Sequence, residues 1–120
     1  MKKLRKLPDY PFDAIYPPPR SLRAGNVLPL IITKDISPHL IQLSQIALKK
    51  YNDDNNQDPP FEFDQLVKST RGMSAGYNYF ITFKAAKQSS NTSSTIFQAH
   101  VWAPFDGSSP KVVSCAIKRT

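Results

Sequence analysis

His39, His100 and Cys115 are the residues whose types could carry nucleophilic chemistry, because an imidazole can activate a neighbouring thiol. His39 falls at the start of a predicted helix, whereas His100 and Cys115 fall in predicted strands. A catalytic pair therefore requires the sheet to bring His100 beside an exposed Cys115 sulfur. A lone small cysteine in an alternating strand is instead expected to be buried and inert. Two histidines and one cysteine, scattered along the chain, do not make a closed metal-ligand set. Asp53, Asp54 and Asp58 precede a predicted strand without the glycine and terminal glutamate of a calcium loop. Four scattered glycines form neither a phosphate loop nor a dinucleotide pattern. Neither an enzyme nor a cofactor or metal site is expected.

The elements that would position these residues are legible from periodicity. Val27 to Thr33 is rich in Val, Leu and Ile, as a first strand requires, and Pro29 directs it to a sheet edge. Ser37 offers a capping hydroxyl and Pro38 suits the first turn, which predicts a helix starting there. Leu40, Leu43, Ala47 and Tyr51 recur at three- and four-residue steps, with Ile46 widening the stripe. The run Asn52 to Asn56 has turn chemistry, and Pro59-Pro60 forbids further helix.

Four strands follow. Phe61 to Arg71 is the least regular. Tyr77, Tyr79, Ile81, Phe83 and Ala85 alternate with Asn78, Phe80, Thr82 and Lys84, while Phe97, Ala99, Val101 and Ala103 alternate with Gln98, His100 and Trp102. Gln88 to Ser94 is a polar linker. Asp106 to Pro110 is a turn before Lys111 to Ile117 closes the sheet. The apolar helix stripe can be buried only against one face of that sheet, which predicts an α+β fold with one helix on a four- to five-stranded antiparallel sheet.

A chain of 120 residues supports one such domain. Its single cysteine excludes an intrachain disulfide. Residues 1–24 form a separate basic, Pro-rich segment, expected to be flexible, and 25–120 the domain proper. Five prolines between Leu7 and Arg23 preclude a helix there. Such a tract serves either as a spacer or as a docking peptide for an aromatic-lined groove. The charged start, Met1 to Lys6, is followed by Pro8, Asp9, Pro11 and Asp13 in place of an apolar stretch, so a secreted protein is not expected. Val27 to Ile32 is too short to span a bilayer. A soluble, intracellular and cytoplasmic protein is the expectation. The net charge of +7 raises nucleic acid as a partner. Much of it comes from Lys2, Lys3, Arg5, Lys6, Arg20 and Arg23, however, and no basic stripe is interleaved with stacking aromatics, so nucleic-acid binding is not expected.

The order of elements and the residues within them resemble the cystatin family, especially its plant branch, over roughly residues 25–118. Leu43, Ala47, Tyr51 and Asn52 agree with the plant helix signature, with Ile46 and Leu48 as apolar replacements. Glu62-Phe63, Val67-Lys68, Ala75-Gly76 and Tyr79-Phe80-Ile81-Thr82 match the second and third strands without a gap, and Ala99, Val101 and Trp102 match the fourth. The resemblance implies an inhibitor that plugs the cleft of a papain-like cysteine protease with three parts: a glycine-bearing N-terminal segment, a first hairpin of pattern QxVxG, and a second hairpin with Pro-Trp. Carried onto this chain, the protease-binding residues are Gly25, then Gly72, Met73, Ser74, Ala75 and Gly76, then Pro104 and Phe105.

Three departures accompany the match. Gly72 stands where the family has glutamine, Ser74 where it has valine, and Phe105 where it has tryptophan, in a second hairpin one residue shorter. Weak or narrowed inhibition is the reading that follows; the alternative is a non-inhibitory interaction module of the same fold. Pro104 and Phe105 either face a partner or close a strand with a core aromatic. Trp102, inside a strand, is assigned to packing. The resemblance allows a monomer or a dimer that exchanges its first hairpin.

Overall fold

The computed structural model describes residues 11–13, 27–87 and 94–118. Five strands, β1 (Val27–Leu30), β2 (Phe61–Met73), β3 (Gly76–Lys87), β4 (Thr95–Pro104) and β5 (Lys111–Ile117), form one antiparallel sheet in sequence order, and α1 (Ser37–Asp54) packs on one face. The α+β expectation holds, with five strands. β1 is shorter than Val27 to Thr33 suggests, and it does lie at the sheet edge, where Pro29 opposite Thr70 costs no central ladder bond. The irregularity of β2 is two register shifts, between Phe63 and Gln65 and between Leu66 and Lys68.

Period-two alternation puts Tyr79, Ile81, Phe83 and Ala85 of β3 with Phe97, Ala99 and Val101 of β4 on the helix side, where they meet Leu40, Leu43, Ala47 and Leu48. Phe83 and Phe97 are fully buried and stacked, with ring centroids 5.6 Å apart. Each contributes on the order of 1.5–3 kcal/mol of burial free energy. Tyr51 and Phe61 abut Phe97 edge-on, each at 5.0 Å, so the end of the helix and the start of β2 close the same core.

Three local expectations are corrected. Ser37 does not cap α1. Ile36 holds that position in a right-handed helical conformation and no side chain caps it; the preceding turn runs straight into the helix, with the Ser37 N–H donating to the Thr33 carbonyl at 2.9 Å. Ile46 is exposed at 38%, because the stripe rotates toward Ser44 and Leu48; the buried Ser44 hydroxyl is satisfied by the Leu40 carbonyl at 2.8 Å. The helix runs through Asp54, so the turn expected over Asn52 to Asn56 starts only at Asn55, and Asn52 is helical as the signature segment implies. It is buried in the last helical turns, where its Nδ2 donates to the Phe61 carbonyl at 2.9 Å and its Oδ1 accepts from the Phe61 N–H at 3.0 Å. One amide thereby satisfies both backbone groups at the start of β2.

Pro11–Asp13 form a turn held against the sheet face opposite α1, so these three residues are not part of a loose lead. The remainder of segment 1–24 and most of the linker 88–94 lie outside the described residues.

Asn52→Ala leaves both Phe61 backbone groups without this partner and is expected to cost about 2 kcal/mol in urea denaturation. Asn52→Asp, which keeps the acceptor and loses the donor, should fall between the two.

Candidate functional site

Two hairpins meet at one end of the sheet. The β2–β3 turn exposes Met73, at 65%, together with Ser74 and Ala75. Ala75 takes a left-handed conformation (φ 54°), and the Ser74 N–H donates to the Gly76 carbonyl at 2.9 Å, which closes the turn tightly. The β4–β5 turn follows Pro104, and its Phe105 is exposed at 57%. Gly107 (φ 85°) turns the chain, while the Asp106 carboxylate accepts from the Ser108 hydroxyl and N–H. These bonds lower its pKa.

The two turns are joined by direct contacts. The Trp102 indole Nε1–H donates to the Ser74 carbonyl at 2.9 Å, and the Phe105 N–H donates to the Ala75 carbonyl at 3.3 Å. The Phe105 ring stands edge-on to Tyr77 at 5.1 Å, and the Arg71 guanidinium lies 4.2 Å from the centre of the Tyr77 ring. Gly76 sits opposite Pro104, and a Cβ there would come within 2.4 Å of the Ala103 carbonyl oxygen and 2.8 Å of Trp102 Nε1. Its glycine identity follows from this close approach, while the left-handed turn residue is Ala75.

Of the residues carried over from the resemblance, Met73, Ser74, Ala75 and Phe105 share one exposed edge. Pro104 is half-buried beneath it. Gly72 and Gly76 are buried; Gly72 pairs with Val27 on one side and Asn78 on the other, so it offers no tip surface. Gly25 lies outside the described residues. Phe105 is no core aromatic. Trp102 is a bracing residue of the edge as well as a packed one, and alternation held the signal for it: it shares a face with Gln98 and His100, away from the helix.

The Cystatin domain family model matches residues 30–115, which takes in α1, β2 to β4, both hairpins and β5 as far as Cys115. The chain belongs to the cystatin family. Among curated proteins there is no significant match. Cystatins are typically inhibitors of cysteine proteases, and the paired hairpins belong to the matched region. This cystatin holds Cys115 on the helix side of β5 opposite Ala99, whereas His100 pairs with Ser114 on the other face. The sheet thus separates the two groups instead of joining them. Burial pushes the Cys115 thiol up to about 12, which keeps it protonated at neutral pH. Among the described residues no cluster of metal-ligating side chains occurs, and no helix is long and apolar enough to cross a membrane.

His100 is half-buried, with Nε2 2.7 Å from Asn78 Oδ1, and burial lowers its pKa from the ordinary 6.5. The unfolded chain therefore takes up this proton before the folded one does. Stability is full above pH 6.5 and falls as pH drops from there toward the lowered folded value. Urea midpoints at pH 7.5 and 5.5 should show this loss, and His100→Gln should flatten it. At the edge itself, Gly76→Ala should cost more than about 2 kcal/mol, because backbone must shift to admit the methyl.

Proposed function

We propose that this cystatin reversibly occludes the active-site cleft of a papain-like cysteine protease with the edge formed by Met73, Ser74, Ala75 and Phe105, and that its inhibition is weak or narrow in range. The observation that carries the reading is the joining of both turns by Trp102 and the Phe105 N–H, which fixes two exposed loops as one surface before any partner arrives. Pre-organisation of this kind favours rigid plugging of a cleft. The helix residues Leu43, Ala47, Tyr51 and Asn52 favour the plant branch of the family.

The expected weakness has a physical source. With Gly72 buried and lacking a side chain, and Ser74 polar, the first turn presents little apolar surface beyond Met73. Each lost apolar contact is worth roughly 1–3 kcal/mol, so several together reduce affinity by orders of magnitude. The same feature favours a second reading, a non-inhibitory interaction module that uses another surface.

Titration of papain with the purified chain separates the two. Inhibition at micromolar concentration is expected. Ser74→Val keeps the backbone carbonyl that Trp102 holds and should tighten binding roughly tenfold. Phe105→Ala should weaken it by a similar factor. Silence from the parent and from Ser74→Val, both folded, contradicts inhibition and leaves the interaction module.

A further inference from the structure

The sheet face opposite α1 carries a second buried patch that the protease-facing edge does not use. In an antiparallel sheet with a helix on one side, the other side is ordinarily solvated. Here Phe80 is only 8% exposed and Thr70 only 3%, and neither belongs to the helix-side core. Thr70, Phe80 and His100 stand in one cross-strand row, and the His100 ring lies 4.3 Å from that of Phe80.

Residues 11–13 lie across this row, and each makes a different contact. The Pro11 carbonyl accepts from the Thr70 hydroxyl at 2.7 Å. The Phe12 ring meets Phe80 edge-on at 5.6 Å. The Asp13 carboxylate pairs with the Lys68 ammonium. Lys68 and Thr70 are two apart on β2 and so present to the same face, with a spacing near 7 Å that a short turn can match. Donor, aromatic and cation on the sheet thus meet acceptor, aromatic and anion in three consecutive residues of the lead.

We propose that the open face of the sheet is a binding site for a short Pro-aromatic-acidic segment, and that Pro11–Phe12–Asp13 of the same chain is its ligand. The chain is then held at Asp13 on the open face and at Val27 beside Gly72 on the edge strand. The site stands apart from the proposed protease edge, since the three contacts named above involve Thr70, Phe80 and Lys68 and not Met73, Ser74, Ala75 or Phe105. Because site and ligand belong to one chain, the effective concentration is about millimolar, so the contact is filled in cis even when its intrinsic affinity is modest.

Nuclear Overhauser contacts between the Phe12 and Phe80 rings, recorded on the full chain, test this directly. They should be present and independent of protein concentration. Phe12→Ala should shift the His100 ring resonances and lower Tm by roughly 4–8 °C. Asp13→Lys should also lower Tm, and adding Lys68→Asp should restore most of the loss. A synthetic peptide of residues 8–16 at about millimolar concentration should return the Phe80 and His100 resonances of Phe12→Ala toward those of the parent, and its Phe→Ala counterpart should not. Unchanged His100 resonances and Tm in Phe12→Ala, or no peptide response, overturn the proposal. Ring contacts that vanish on dilution as the mass halves overturn it too, by placing a second copy's segment in the site.

Discussion

The close approach at Gly76 is the constraint on which the rest of the hairpin edge depends. A backbone that passes within 2.4 Å of where a Cβ would stand leaves room for nothing larger than hydrogen, and that intimacy brings the Trp102 indole over the first turn and Pro104 alongside it. Two loops that would otherwise sample separate conformations are thereby held by the Ser74 and Ala75 carbonyls in one arrangement. The edge owes its shape to the Gly76 close approach, the Trp102 indole and two backbone carbonyls, so its exposed residues can vary while its geometry stays.

That edge is held in place by the core behind it. Stacked Phe83 and Phe97, closed by Tyr51 and Phe61, fix β3 and β4 against α1 at the far end of the sheet, and Asn52 pins the start of β2 to the helix. The antiparallel ladders transmit this order to the turns, since Gly76 to Ala85 pair with Pro104 to Thr95 without a shift. The opposite face carries a smaller polar and aromatic patch closed by Pro11–Asp13. The sheet therefore has one face covered by α1, a patch of the other face closed by Pro11–Asp13, and an exposed end where the two hairpins meet.

Much of this architecture was legible in the sequence, because period-two alternation from Tyr77 to Ala85 and from Phe97 to Ala103 is a direct consequence of a sheet with one buried face. Residues governed by tertiary partners were harder to read. Ser37 has the chemistry of a cap, but the turn before it supplied a backbone partner instead. Ile46 sits at a helical spacing that suits the stripe, yet the crossing of helix and sheet favoured Leu48. Trp102 lay on the right face for a bracing role, but nothing local to it announces that its indole reaches a carbonyl on another hairpin. Nor does composition show that three residues of a proline-rich lead match a row of side chains so distant in sequence.

On the proposed reading, the two turns meet a protease as one surface. Hydrogen exchange of the chain with and without a saturating, active-site-blocked papain-like enzyme tests it most directly. The amides of Ser74, Ala75 and Phe105 should slow together, while those of β5 near Cys115 should not change. Slowing confined to one hairpin, or none at saturation, would contradict it.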